Sequence, residues 1–175
     1  MMPTTTTYWT TIDSPVGELL LTSDGTSLTR VLFSPFTVDP AWSEEPCTLL
    51  DEAVTQLRDY FAGVRTDFDL PLEPAGTPFQ LVVWQALREI PYAETINYGQ
   101  LATRVGNRNA SRAVGMANGR NPISIVVPCH RVIGANGSLT GYGGGLDRKR
   151  TLLNLERRTA GQPAAVGNQL SLLWA

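Results

Sequence analysis

Cys129 and His130 stand side by side in Pro128-Cys129-His130-Arg131-Val132, and His130 is the only histidine in the chain. A cysteine becomes a nucleophile when a base, a cation or a helix N-terminus favours its thiolate. Arg131 adds a positive charge beside the pair. In a regular strand, neighbouring side chains point to opposite faces. Cys129 and His130 therefore cooperate only across a turn after Pro128, or through a bridging water. Glu156, on the last expected helix, is placed to hold His130 in one tautomer, the third-group role in a triad. Each residue also has a plainer reading. A Cys-His dipeptide is often a buried structural thiol beside a satisfied imidazole, and Glu156 next to Arg157 and Arg158 reads equally as a solvated surface residue. Asn121, ahead of Pro122, is able to hydrogen-bond the turn that follows. Tyr142-Gly143-Gly144-Gly145 offers open backbone amides to a phosphate or a flat base, or simply connects two elements.

The elements that must position these residues fall into two lobes. Strands are expected at Tyr8–Ile12, Glu18–Leu21 and Ser27–Phe33, separated by Ser14-Pro15-Val16-Gly17 and the hairpin dipeptide Asp24-Gly25. A helix from Thr48 to Ala62 carries Leu50, Val54, Leu57 and Phe61 on one stripe, with Gly63 as a left-handed cap. Asp69–Gly76, with two prolines, reads as a linker.

The second lobe opens on Thr77-Pro78-Phe79-Gln80, a capping box around a proline at the first helical position. Phe79, Val82, Val83, Ala86, Leu87 and Ile90 follow with helical spacing. Helices over 97–105 and 109–118, joined by a turn with Gly106, form a helix-turn-helix pattern. In the second of these, Ser111, Arg112 and Gly115 share a face. Glycine inside a helix costs about 1 kcal/mol relative to alanine, so another surface is expected to approach it closely: a nucleic-acid groove, or another helix. Ile123–Val127 reads as a buried strand, and a final helix runs from Leu146 to Arg158. The tail 159–175 ends in the apolar run Leu170–Trp174, which docks or stays loose.

Composition sets the bounds. The chain has 175 residues, 42% apolar and 17% charged, enough for a sizeable core. No apolar run approaches membrane-spanning length, and the N-terminus lacks a signal-peptide pattern. Two cysteines make no disulfide framework, so the expectation is a soluble cytoplasmic protein. The net charge of −2 is unevenly spread. Residues 1–80 hold three arginines against twelve carboxylates, and residues 81–175 hold ten arginines and one lysine against four. A basic half favours an anionic partner, nucleic acid first; the alternative is an uneven surface without function.

The Cys129 signature with Asn121-Pro122 resembles the active site of O6-alkylguanine-DNA alkyltransferases. The resemblance extends to the helix with Trp84, the Tyr98-Gly99 helix start, Ser111-Arg112-Ala113-Val114-Gly115, Gly141–Gly145 and Leu152–Glu156. It implies an α/β fold with a ribonuclease-H-like sheet-plus-helix lobe over 1–74. A winged helix-turn-helix alkyl-acceptor lobe would span 75–160, and a tail 161–175. It implies irreversible, stoichiometric transfer of an alkyl group from guanine O6, and from thymine O4, to Cys129 after base flipping. His130 would act as base through a water, Glu156 would orient it, Asn121 would brace the turn, and Tyr98 would donate a proton to the departing base. Arg112 would fill the emptied stack, with Ala110, Ser111, Gly115 and Tyr98 against the minor groove of double-stranded DNA. Val132, Tyr142 and Gly143 would line the base pocket. The resemblance implies no cofactor, no membrane and a monomer that binds DNA, with cooperativity open. Some relatives hold zinc in the first lobe through Cys and His; with Cys47 alone there, no metal is expected. A lesion-sensing DNA binder with an idle cysteine is the alternative, and a cysteine hydrolase of small substrates a third reading.

Overall fold

The computed structural model describes residues 5–164, so the apolar run Leu170–Trp174 lies outside the described residues. It divides into two compact units, Met1–Ala75 with Pro122–Val126, and Gly76–Asn121 with Val127–Ala175. The architecture is α/β, as expected from the sequence.

In the first unit, β1 (Tyr8–Ile12), β2 (Leu19–Ser23) and β3 (Leu28–Phe33) form an antiparallel sheet in that order. β2 is the central strand, and all five of its residues are buried. Asp24 Oδ1 closes the β2–β3 turn by accepting from the Thr26 and Ser27 amides, with Gly25 at φ 95°. The helix α1 (Thr48–Phe61) buries Leu50, Ala53, Gln56, Leu57 and Tyr60. The expected stripe through Val54 and Phe61 is therefore rotated. Gln56 joins the core because both ends of its amide are satisfied by the Asp69 backbone, at 3.0 and 2.9 Å. Asp69–Gly76 is also more than a linker. Leu28 N donates to Pro71 O and Glu73 N to Leu28 O, so the segment extends the sheet edge past buried Leu70.

The segment Ile123–Val127 is not a strand. Val31 N donates to Pro122 O and Ser124 N to Val31 O, after which the chain turns through Ile125 at φ 72°. Ile123 and Ile125 are fully buried. The apolar run reflects that burial, which periodicity cannot tell from a strand.

The second unit begins with α2 (Pro78–Arg88), capped as expected by reciprocal Thr77–Gln80 hydrogen bonds. Val83, Trp84, Ala86 and Leu87 face inward, whereas Phe79 and Val82 are 40% and 52% exposed. Trp84 donates its indole N–H to Ala117 O at 2.8 Å and packs on Gly76, where a Cβ would come within 2.4 Å of the ring. Gly76→Ala is expected to lower stability by about 1–3 kcal/mol through overpacking, as an earlier urea midpoint; an unchanged midpoint would contradict that contact.

The helices α3 (Tyr98–Arg104) and α4 (Ser111–Gly119) form the helix-turn-helix, and α3 carries a second capping box, Asn97 with Gln100. Helix α4 starts two residues later than expected because Asn107 Oδ1 turns the chain by accepting from the Asn109 amide. β4 (Ile96–Asn97) pairs in parallel with β5 (Val132–Ile133), and α5 (Leu146–Thr159) closes the unit. Among the described residues, no helix is long and apolar enough to cross a membrane.

Candidate active site

Pro128 cannot continue a regular ladder, and the chain leaves it in a single 3-10 turn, Cys129–Arg131. The adjacent cysteine and histidine therefore sit on a turn and not on a strand. All three side chains are buried: Cys129 is 4% exposed, His130 0% and Arg131 6%.

Asn121 reaches the sulfur itself. Its Nδ2 donates to Cys129 Sγ at 3.1 Å and to Val127 O at 2.8 Å. Burial pushes the Cys129 thiol up from its ordinary value, opposed by the Asn121 hydrogen bond, the nearby Lys149 charge and the Tyr142 hydroxyl. These groups all favour the thiolate, so the pocket is a partial answer to its own desolvation.

His130 Nε2 pairs with Glu156 Oε1 at 2.7 Å, while its buried Nδ1 has no hydrogen-bond partner. Burial lowers the His130 pKa despite the carboxylate, so the ring is neutral at pH 7. With Glu156 accepting, Nε2 carries the proton and Nδ1 keeps its lone pair.

Glu156 is fully buried and held by more than His130. Arg131 donates through Nε to Oε2 and through Nη2 to Oε1, both at 3.0 Å, and the Ala93 amide donates to Oε2 at 3.1 Å. Arg131 Nη1 also donates to Ile90 O at 2.7 Å. Burial opposes the carboxylate's charge, but His130 and Arg131 outweigh it and hold Glu156 well below the usual carboxylate range. The surface reading of Glu156 is thereby corrected. Arg131 is a structural clamp that sequence did not distinguish from a free charge.

Tyr98 donates its hydroxyl to Thr140 O at 2.9 Å, and burial raises its pKa, so it remains a protonated donor. Its ring lies beside Gly115, where a Cβ would meet it at an ordinary 3.6 Å. Thus the small residue inside α4 faces a neighbouring ring within the fold. Arg112 is exposed on the first turn of α4, with Ala110 and Ser111 half-buried before it. Gly143 is needed for close approach, since a Cβ there would stand 3.0 Å from Gly119 O. Val132 is fully buried and Tyr142 half-buried, its ring 5.8 Å from Lys149 Nζ. Two contributors were missed in the sequence: Asn118 Nδ2 lies 3.4 Å from Cys129 O, and Lys149 is fully buried.

A single nucleophile with a buried imidazole–carboxylate pair, beside a helix-turn-helix with an exposed arginine, defines a class of two-domain proteins that combine cysteine chemistry with a DNA-binding fold. Residues 7–74 match the 6-O-methylguanine DNA methyltransferase ribonuclease-like domain, and residues 78–158 the DNA binding domain of the same name. The chain belongs to the 6-O-methylguanine DNA methyltransferase family. It is 55% identical to a methylated-DNA–protein-cysteine methyltransferase of Mycolicibacterium paratuberculosis, covering 85% of this chain and 91% of that one. The corresponding Methanosarcina acetivorans protein is 52% identical, over 85% and 97%. A crystal structure of Mycobacterium tuberculosis OGT in complex with DNA superposes with a TM-score of 0.82 at 51% identity, covering 90% of this chain and 96% of that one.

Proposed function

We propose that this chain repairs alkylated duplex DNA by moving the alkyl group from guanine O6, and from thymine O4, onto Cys129. The observation that carries this reading is the buried Cys129 thiol, hydrogen-bonded by Asn121 next to a His130–Glu156 pair whose free Nδ1 is a base in waiting. His130 takes the thiol proton through a water. Sulfur attacks the alkyl carbon, the S–C bond forms and the C–O6 bond breaks. The electron pair goes to the purine, which collects a proton from the Tyr98 hydroxyl. No group at the site hydrolyses a thioether, so each molecule reacts once.

Guanine O6 is stacked and paired in a duplex, so the lesion must be flipped out at a cost of a few kcal/mol. Exposed Arg112 fills the emptied stack from the minor groove, with Ala110, Ser111 and Gly115 keeping that helix face low. Val132, Tyr142 and Gly143 line the pocket that receives the base. The basic second half supplies the salt-dependent part of the affinity.

The test is the intact mass of the protein after mixing with a duplex carrying one O6-methylguanine. Gain of one methylene mass on Cys129, at one per molecule, supports transfer. An unchanged mass with DNA bound and lesion intact supports a lesion-sensing binder instead. Arg112→Ala is expected to slow repair in duplex DNA by about 10- to 100-fold, the loss of about 1–3 kcal/mol of stacking help. Reaction with free O6-benzylguanine should stay within about twofold; equal loss in both would contradict the stack-filling role.

A further inference from the structure

Helix α2 presents an apolar face to water. Leu81 and Val82, 41% and 52% exposed, stand with Ala86 along one side of it, and Val105 at the end of α3 lines the same groove. Gln85, Glu89 and Arg104 complete the lining, and the groove measures about 400 Å³ within the second unit. Positions 81, 82, 85, 86 and 89 form one helical face, so the groove follows α2 for about 12 Å. Single apolar residues on a surface are ordinary, but a contiguous lined patch marks a place where something docks.

The chain carries a segment of matching character. Leu170-Ser171-Leu172-Leu173-Trp174 lies outside the described residues, and residues 160–175 hold no charged side chain. The path toward this segment starts near the Glu89 end of the groove. There α5 is tied to the loop that follows α2: the Ala93 amide donates to Glu156 Oε2 at 3.1 Å, and Thr159 lies against the Tyr92 hydroxyl. At Gly161, φ 69°, the chain turns off the helix. Gln162 N donates to Arg157 O and Gly161 N to Arg158 O, a Schellman stop. Arg157 Nη1 then donates to Pro163 O at 3.1 Å, so the chain departs from the last turn of α5. The six residues from Ala164 to Leu170 can reach about 20 Å when extended. Residues 170–174 span about 13 Å, which matches the groove.

We propose that residues 170–174 dock in the α2–α3 groove of their own chain and close it against water. Trp174 and the three leucines supply the apolar area that Leu81, Val82, Ala86 and Val105 leave open. The occupant is the chain's own segment because a short tether holds it near the groove at about millimolar effective concentration, and its lack of charged side chains suits apolar walls. Helices α2, α3 and α4 pack on one another. A strap across α2 and α3 therefore stiffens the support of the helix that carries Arg112.

The experiment labels the full chain with fluorotryptophan, which gives four fluorine NMR signals, one for each tryptophan. Trp174→Phe identifies the Trp174 signal by its loss. In wild type that signal should stand apart from the signal of a free peptide of residues 170–174. It should also keep its position from about 10 to 500 μM protein, as an intramolecular contact does. Val82→Asp, a change at an exposed position, should move it to the free-peptide position, and Leu81→Asp serves as a second groove variant. Circular dichroism checks that each variant is folded. Val82→Asp and Trp174→Ala should each lower Tm by about 2–8 °C, and the double variant should lose no more than either alone. A wild-type signal at the free-peptide position, a signal unmoved by both groove variants, or additive Tm losses overturns the docking. A signal that leaves the free-peptide position only as concentration rises gives the groove to the same segment of a second copy, and overturns docking within one chain.

Discussion

Cys129→Ala is expected to abolish alkyl transfer outright while leaving DNA affinity within about twofold and stability within about 1–2 kcal/mol. The chemical loss is complete because no other thiol serves the site: Cys47 precedes α1 in the first unit. The structural loss is small because one buried heavy atom goes and Asn121 keeps its bond to Val127 O. Cys129→Ser tests the same point more strictly. It preserves an acceptor for Asn121, yet a hydroxyl is a far weaker nucleophile, so no mass gain is expected within hours. Intact mass and gel-shift titration on the same lesion duplex read the two properties separately. Residual transfer in Cys129→Ala would place the acceptor elsewhere.

Glu156→Gln should have the largest effect on the fold. The carboxylate serves His130, both arms of Arg131 and the Ala93 amide. Removing its charge leaves Arg131, 6% exposed, without a counter-ion. Breaking a buried pair in this way costs about 3–5 kcal/mol, a large share of the roughly 5–15 kcal/mol that holds a domain. Transfer should fall by at least about 100-fold, because a neutral amide no longer fixes the proton on Nε2. The pH dependence has a definite sign. Glu156 is lowered from 4.5 on folding and His130 from 6.5. In both cases the unfolded chain binds protons that the folded chain refuses, so stability is full above about 6.5 and declines as pH falls. In Glu156→Gln the decline below about 4.5 should flatten, as read by Tm between pH 7 and 3. A parallel decline in wild type and variant would assign the acid loss to other carboxylates.

Local signals carried most of the element pattern. Thr77-Pro78 with Gln80, and Asn97 with Gln100, start their helices because capping is chemistry within a few residues. The misplaced features are tertiary. Gln56 is buried only because Asp69 arrives to satisfy it, and Ile123–Val127 is apolar because it is enclosed, not because it is extended. At the site, Cys129, His130, Glu156 and Asn121 were legible through a recurring motif. Arg131 and Lys149 were not, since an arginine in a basic half and a lysine on a charged helix look like surface until their carbonyl and carboxylate partners are known.

The brief return of Pro122–Val126 to the first unit, tied to Val31 by two backbone hydrogen bonds, bears on how the molecule can be cut. A fragment beginning at Gly76 would retain this stretch and lose its strand partner, leaving Ile123 and Ile125, fully buried in the whole chain, as a sticky loop between α4 and the cysteine turn. Excision of the stretch would sever the backbone between Asn121 and the thiol it supports. The two units are thus stitched rather than strung: the chain crosses between them three times, after Ala75, after Asn121 and after Val126, the last two on either side of a stretch that leads straight to the cysteine turn.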